Sequence, residues 1–247
     1  MNRSILLIAL SLCALSAHAT TITIESAGVG SGAISTAIAD RDAWILSNFG
    51  PSAVSDLLVD FESYSLGAYY SLNTAAGTFS LLPGSSPGNS SLSDGTKTNQ
   101  FSILDAGDSP FKGRFDTTPG GSQWLDSNDT TKVKLATTES IIYFFINDVN
   151  DCGGTLTIRT KDGTTSTVFA PTGQNGNLYF VGIQSSGPIG AIQWLNTSDN
   201  DGWGIDDIGT VAWAATPEPA AMPIGLAGLL AIPLIRKYKS RTRQVAE

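Results

Sequence analysis

Residues 155–170 read TLTIRTKDGTTSTVFA, and this stretch is the clearest indication of the fold. Two runs rich in Thr, Ile and Val flank the dipeptide Asp162-Gly163. An Asp-Gly dipeptide between two runs of strand-forming residues is the strongest local signal for a β-hairpin, because both residues tolerate the positive φ angles of a tight turn. We therefore predict antiparallel strands at residues 155–160 and 164–170.

Outward from this hairpin, the chain keeps alternating between short apolar segments and turn residues. Thr, Ser and Gly are abundant, and Val, Ile, Phe and Tyr recur in short runs, which is typical of β structure. Further strands are predicted at residues 21–25, 57–62, 77–82, 100–104, 111–116, 132–136, 140–147, 177–183, 189–195 and 204–211. Short strands at this spacing predict one all-β domain over residues 20–214, a β-sandwich or jelly roll.

Two segments depart from the strand pattern. Residues 35–48 place apolar side chains at helical spacing, and Gly50-Pro51 ends that pattern. We predict one helix here, packed beside the sandwich. Residues 84–100 consist mostly of Ser, Gly, Pro, Asn and Thr, which predicts a long exposed loop.

The N-terminus has the pattern of a secretory signal peptide. Arg3 provides the positive start, residues 5–15 are apolar, and Ala17-His18-Ala19 matches an A-x-A cleavage site. We therefore predict a signal peptide over residues 1–19 and a mature chain that begins at Thr20.

The C-terminus has the pattern of a membrane anchor with a motif in front of it. Pro217-Glu218-Pro219 is followed by an uncharged apolar run over residues 220–235, close to the minimum length for a transmembrane span. A basic cluster follows, formed by Arg236, Lys237, Lys239, Arg241 and Arg243. Because Lys and Arg remain on the cytoplasmic side, this pattern predicts that the bulk of the chain lies outside the inner membrane.

The order of these parts in residues 215–247 resembles the PEP-CTERM sorting tail of Gram-negative envelope proteins. The resemblance implies that an exosortase-type sorting protease recognises the tail and cuts it near Pro217-Glu218-Pro219. It also implies delivery to the cell surface or to an exopolysaccharide matrix. An ordinary tail anchor is the alternative. The resemblance concerns the destination of the protein and says nothing about an activity.

The charge balance argues against a nucleic-acid partner. The chain has 22 acidic and 14 basic residues, and the predicted terminal segments contain two of the former and six of the latter. The central domain is therefore near −12, whereas binding to phosphates needs a basic face. An excess of Asp on an exported domain favours solubility or the binding of divalent cations.

Two residue types are nearly absent, and this limits the chemistry. His18 is the only histidine and lies in the predicted signal peptide, so the mature domain has no Ser-His-Asp triad and no His-ligated zinc. We predict that the protein is not an enzyme; a glycoside hydrolase with Asp60 and Glu62 as its paired carboxylates is the alternative. Cys152 is the single thiol of the mature chain, expected as a small buried residue or, alternatively, as a reactive or intermolecular thiol.

Two acidic motifs are the candidates for a metal site. The first is Asp60-Phe61-Glu62 at the end of a predicted strand, and the second is Asp206-Asp207 within the segment GIDDI at residues 204–208. On a regular strand Phe61 would face the core, and Asp60 and Glu62 would lie side by side on the other face. Two neighbouring carboxylates repel each other unless a positive group lies between them.

This pair of motifs resembles the jelly-roll carbohydrate-binding modules with a galactose-binding-like fold. The resemblance implies a structural calcium ion where the first and last strands meet, with Glu62 and Asp206 as ligands and with Asp60 and Asp207 as further candidates. Calcium takes six to eight oxygen ligands, so carbonyl groups and water would complete its shell. The alternative is that these residues are solvated edge carboxylates or turn formers.

Two tryptophans are candidates for contact with a sugar. Trp124 is flanked by glycine and polar residues, as in an exposed loop, and Trp203 follows an Asp-rich segment. A sugar site combines an aromatic face with polar groups, although a tryptophan taken alone is more typical of a core. The Asn- and Asp-rich segments 128–129, 147–151 and 199–201 are predicted to be turns rather than cation sites.

Together, these patterns predict an exported cell-surface or extracellular-matrix protein, sorted by its tail, with a jelly-roll domain as a candidate binder of polysaccharide and structural calcium. The alternative is a structural envelope protein with no specific ligand.

Overall fold

The computed structural model describes residues 19–86, 99–107, 112–168 and 174–213. Within these ranges the chain forms two antiparallel sheets and one α-helix, so the predicted all-β sandwich is confirmed. No helix in this part of the chain is both long and apolar enough to span a bilayer. The predicted signal peptide, its final residue Ala19 apart, and the predicted sorting tail lie outside the described residues.

The elements follow one another in short segments. A short 3₁₀ helix at Ser31–Ala33 leads into α1 (Ile34–Phe49). The strands are β1 (Thr20–Val29), β2 (Ala53–Val59), β3 (Gly67–Tyr69), β4 (Ser71–Thr74), β5 (Gly77–Leu81), β6 (Phe101–Asp105), β7 (Gln123–Asp126), β8 (Lys132–Thr137), β9 (Ile141–Asn147), β10 (Leu156–Thr160), β11 (Thr165–Thr167), β12 (Asn177–Ser185), β13 (Gly190–Asn196) and β14 (Gly204–Trp213).

The first sheet has the strand order β1-β12-β9-β14-β7-β6-β3, and β2 also pairs with β14. The second sheet has the order β11-β10-β13-β8-β5-β4. Neighbours in both sheets run antiparallel. The contact between β2 and β14 brings an early strand beside the last strand.

Strand β9 is covered on both faces. Ile142, Phe144 and Ile146 belong to the main core between the two sheets. Tyr143 and Phe145 point to the opposite face, where they join a second apolar cluster built around α1. This explains why the segment IIYFFIN is almost continuously apolar and does not alternate between apolar and polar residues.

Helix α1 packs on the first sheet through Trp44. A Cβ atom added to Gly182 of β12 would lie 2.5 Å from Cε2 of Trp44, so the absence of a side chain at Gly182 creates the space for the indole. Trp44 also contacts Phe49 and Phe180, with ring centroids 5.2 and 5.6 Å away. The helix therefore covers the outer face of the sheet, and the prediction for residues 35–48 is confirmed with one additional residue at each end.

The predicted hairpin at Asp162-Gly163 is confirmed. Strands β10 and β11 pair in antiparallel register, Gly163 has a φ of 93°, and Oδ1 of Asp162 accepts a hydrogen bond from the Thr164 amide at 3.0 Å. This side-chain bond stabilises the turn. Burial alone would raise the pKa of Asp162, but the hydrogen bonds that its carboxylate accepts from Thr160 and Thr164 lower that pKa to about 2.

Several strand predictions were wrong. The described residues 112–116 form no strand, and β2 begins earlier than predicted and ends at Val59. Strands β3, β4 and β7 were not predicted, because each has only three or four residues and little alternation of apolar and polar side chains. Most of the predicted loop at residues 84–100 lies outside the described residues.

Substitution of Gly182 by Ala tests how α1 is held. The added methyl group would overlap the Trp44 ring, so we expect a loss of about 1–3 kcal/mol in the free energy of unfolding, as is common for overpacked cores. Thermal denaturation would measure this loss, and hydrogen exchange would show faster exchange within α1. The matched control is Gly32→Ala, because a Cβ at Gly32 has no neighbour within 4 Å. Equal stability of the two variants would contradict this account of helix packing.

Candidate metal centre

The motif Asp60-Phe61-Glu62 lies in a turn after β2 and not on a strand, so the predicted strand geometry was wrong. Phe61 has a φ of 62°, and Oδ1 of Asp60 accepts a hydrogen bond from the Glu62 amide at 3.2 Å. Phe61 is fully buried as expected. Because the chain turns at Phe61, Asp60 and Glu62 are not neighbours on one strand face. Asp60 lies near Asp207 of the last strand, whereas Glu62 reaches the start of β7.

A bulge in β14 directs both aspartates of the second motif to one side. The pairing of β14 with β9 shifts between Asp206 and Gly209, and Asp207 has a φ of 49°. On a regular strand these two side chains would point to opposite faces. The bulge instead brings both carboxylates to the same turn at Thr117 and Thr118.

The turn at Thr117 and Thr118 donates hydrogen bonds to both aspartates. Oδ2 of Asp206 accepts bonds from the Thr117 amide at 2.7 Å and from the Thr117 hydroxyl at 3.1 Å. The Thr118 amide donates to the same oxygen at 3.2 Å. The Thr118 hydroxyl donates to Oδ1 of Asp207 at 2.7 Å. One oxygen of Asp206 is therefore fully engaged by the protein.

The other oxygen of Asp206 has no donor. Asp206 is completely buried, and its Oδ1 lacks a hydrogen-bond partner among the described residues. Its side chain contacts the carboxyl group of Asp116, which precedes the threonine turn. Burial, the charge of Asp207 and the contact with Asp116 together raise the pKa of Asp206 well above its ordinary value.

Glu62 approaches Asp116 from the turn after β2. Its Oε1 accepts hydrogen bonds from the Ser122 and Gln123 amides, each at 2.7 Å. A Cβ atom on Gly121 would lie 2.6 Å from this oxygen and 2.9 Å from Oδ1 of Asp116. Glycine at this position lets the two carboxylates come close together, and burial followed by the nearby charge of Glu62 helps to raise the pKa of Asp116.

The four predicted ligands thus fall into two groups. Glu62 and Asp206 converge with Asp116, a residue that the sequence did not single out. Asp60 lies nearer to Asp207, whose charge is partly balanced by Arg41. We call Glu62, Asp116 and Asp206 the carboxylate triad. Its members come from three distant segments, so no local pattern marks Asp116.

The triad fits a hard divalent cation by the chemistry of its donors. All three side chains offer oxygen, one oxygen is buried without a donor, and mutual repulsion would fall if a positive ion lay among them. Among the described residues, no group of three or more His, Cys, Asp and Glu side chains is placed so that it could hold a metal ion, and the triad is therefore not a preformed site. Carbonyl groups, hydroxyls or water would have to supply the remaining ligands of a calcium ion.

The tryptophans do not form an exposed sugar platform. Trp124 lies on β7 and Trp203 directly precedes β14, and each is only 1 % exposed. The expectation of an exposed loop at Trp124 was therefore wrong. Trp203 packs in the core against Trp194, with ring centroids 5.8 Å apart and the rings tilted by 35°. Rings covered to this degree cannot stack on a sugar, whereas Tyr70 remains 71 % exposed.

A second polar region surrounds Arg114, which the sequence did not single out either. This buried guanidinium pairs with Asp126 at 2.9 Å, Asp129 at 2.6 Å and Asp148 at 3.3 Å. The predicted turns at residues 128–129 and 147–151 therefore also form a buried ionic network. Burial raises the pKa of Asp148 to about 7, although Arg114 and the Gly176 amide favour its charged form.

Cys152 is a free thiol and is exposed, in contrast to the expectation of a buried residue. Desolvation, followed by the charge and a hydrogen bond of Asp151, raises the pKa of Cys152 to about 11. The thiol is therefore mostly protonated near neutral pH, which lowers its reactivity.

Comparison with known proteins does not assign this domain to a family. The sequence matches no model of a protein family, and no curated protein matches it.

The raised pKa values predict an unusual dependence of stability on pH when divalent cations are removed. A carboxyl group with a raised pKa binds more protons in the folded state, so stability is greatest at low pH and falls as the pH rises through that pKa. For Asp201 and Asp148, with pKa values of about 6 and 7, this loss extends over roughly pH 4–8. We expect the melting temperature in chelator to be higher at pH 5 than at pH 8.

Asp206→Asn identifies the share of this dependence that comes from the carboxylate triad. The Asn carbonyl can keep the bonds from the threonine turn, and its amino group would face Asp116. In chelator, the variant should lose less stability than the wild type between pH 5 and pH 8. Glu25→Gln is the control, since Glu25 is exposed on β1. If Asp206→Asn loses as much stability as the wild type between pH 5 and pH 8, the carboxylate triad does not cause this pH dependence.

Proposed function

We propose that this chain is an exported envelope or extracellular-matrix protein whose β-sandwich holds a structural calcium ion at the carboxylate triad. The single observation that carries the calcium assignment is the buried Oδ1 of Asp206, which has no hydrogen-bond donor among the described residues, in a side chain that contacts the Asp116 carboxyl. A lone buried carboxylate oxygen is costly, and a bound cation compensates it.

The three segments that meet at the triad explain why the ion would be structural. Glu62 follows β2, Asp116 precedes the threonine turn, and Asp206 lies in β14. A cation at this point would join the turn after β2 and the loop between β6 and β7 to the last strand. The amide donors to Glu62 fall on Oε1, and the threonine donors to Asp206 fall on Oδ2. The Asp206 side chain also shares a hydrogen bond with Asp116, and an ion would take the place of the proton in that bond.

Export and sorting are proposed from the sequence of the two ends. The A-x-A site at Ala17-His18-Ala19 supports secretion, and Pro217-Glu218-Pro219 with the following apolar and basic segments supports processing by an exosortase-type protease. The inner membrane would hold the chain only until the tail is cut. A calcium-stabilised domain suits this destination, because extracellular modules bind calcium with dissociation constants of about 10⁻⁴–10⁻³ M.

The proposal includes neither a sugar site at Trp124 and Trp203 nor a hydrolase. Both rings are buried in the sandwich. Three surface depressions of 290, 300 and 460 Å³ are lined partly by α1, and none of the three includes a carboxylate of the triad. The role that the observations support best is therefore structural, in the envelope or its matrix.

Calcium should stabilise the folded chain by mass action. At a hundredfold excess over the dissociation constant, one site contributes about 2.7 kcal/mol, which corresponds to a rise of roughly 5–10 °C in the melting temperature of a domain of this size. Glu62→Gln and Asp206→Asn should each remove the part of the calcium-induced rise in melting temperature that comes from the triad. Each variant replaces a charged oxygen ligand with a neutral group of the same shape. Thermal denaturation of the full chain with calcium or chelator measures the difference.

Glu25→Gln again serves as the control for general charge effects. It removes one exposed carboxylate on β1 and should leave the calcium-induced rise unchanged. If calcium fails to raise the melting temperature, or if Glu25→Gln reduces the rise as much as Glu62→Gln does, the triad is not a calcium site.

The sorting proposal has a separate test. Replacing Pro217, Glu218 and Pro219 with Ala should leave export intact and block removal of the tail, so that the protein stays in the membrane fraction at a higher mass. Fractionation and mass spectrometry of the mature protein would detect this change. Normal release and normal mass in the variant would refute processing at this motif.

A further inference from the structure

A second pair of carboxylates lies in the turns that follow β9 and precede β14. Asp151 belongs to the turn between β9 and β10, and Asp201 belongs to the turn between β13 and β14. Their carboxyl groups lie within hydrogen-bonding distance of each other. Two aspartates so close together need a proton or a cation between them.

Asp201 is the residue that points to a ligand. It is only 1 % exposed, and neither of its carboxylate oxygens has a hydrogen bond of normal geometry from a described residue. The Cys152 and Gly154 amides face this carboxylate and favour its charged form, but they do not reach it in good hydrogen-bond geometry. Both carboxylate oxygens of the buried Asp201 could therefore bind a ligand.

Gly154 and Asn196 complete the surroundings of Asp201. A Cβ atom on Gly154 would lie 2.1 Å from Oδ2 of Asp201 and 2.5 Å from Oδ1 of Asn196. These two oxygens therefore approach the same small space. The Asn196 amide is held in this orientation, because its nitrogen donates to the Asp201 carbonyl and its Oδ1 accepts from the Ser198 amide. Oδ1 of Asn196 keeps a second lone pair for another partner.

Nearby basic residues do not neutralise this pair. In the described part of the chain, neither Asp151 nor Asp201 forms an ion pair with Lys or Arg. The buried Arg114 is engaged by Asp126, Asp129 and Asp148, so three carboxylates already share its single charge. The region as a whole carries an excess of negative charge, which favours a divalent cation.

The geometry points to a second calcium site, formed by the carboxylates of Asp151 and Asp201 and by Oδ1 of Asn196. Carboxylate and amide oxygens are hard ligands of the kind that calcium prefers, and carbonyl groups and water would complete the shell. The ion would tie the turn between β9 and β10 to the turn between β13 and β14. This site is independent of the triad.

Equilibrium dialysis of the full chain against calcium distinguishes the two sites. The wild type should bind two ions per chain at saturation. Asp201→Asn should bind one, Glu62→Gln should bind one, and the double variant should bind none. Unchanged stoichiometry in Asp201→Asn would overturn the second site. If Glu62→Gln alone fails to lose an ion, the proposed triad is wrong and the second site stands.

Gly154→Ala perturbs the site without changing any charge. Its methyl group would occupy the space between Asp201 and Asn196, and we expect calcium to bind this site at least tenfold more weakly. Gly32→Ala is the matched control, with no neighbour near the added group. Cys152→Ser should leave calcium binding unchanged; a loss there, or binding of zinc in preference to calcium, would overturn a site built from oxygen ligands.

A measurement without any substitution at the second site covers the case in which the variants fold poorly. In the Glu62→Gln chain, calcium should slow hydrogen exchange at the Cys152 and Gly154 amides by about tenfold or more. Exchange that is equal in calcium and in chelator would overturn the proposal.

Discussion

The burial of the first sheet on both of its faces is the constraint on which the rest of the structure depends. Strand β9 presents Phe144 to the second sheet and Phe145 to the cluster around α1, so the sheet cannot remain soluble without both layers. The close contact between Trp44 and Gly182 then fixes where the helix lies. The buried acidic side chains lie near the ends of strands, as in Asp126 of β7 and Asp206 of β14, and in the adjoining turns.

Those turns are unusual because their acidic side chains are buried. Arg114 accommodates three aspartates in one ionic network, but the triad around Asp206 and the pair at Asp201 have no comparable cation among the described residues. Burying unpaired carboxylates opposes folding strongly. A domain that carries two such sites either holds protons there or binds cations. Calcium is a cation that suits oxygen ligands of this kind.

The triad also illustrates how backbone irregularity creates a site. The turn at Phe61 and the bulge at Asp207 both require positive φ angles, and each re-aims a carboxylate that a regular strand would have sent elsewhere. Gly121 allows Glu62 and Asp116 to approach each other. These features lie beside each other in space because β2 pairs with β14. The fold thus brings together residues that are far apart in the chain.

The sequence by itself determined the all-β class, the hairpin at Asp162-Gly163 and the single helix, because strand composition, turn chemistry and helical periodicity are local properties. It also marked Glu62 and Asp206 by resemblance. Only the tertiary structure decided that Asp116 joins them, that Trp124 is buried and that Asp201 meets Asp151. Each of these facts depends on contacts between distant segments. Such contacts are fixed by strand order and by bulges, and neither of these is encoded in a short window of residues.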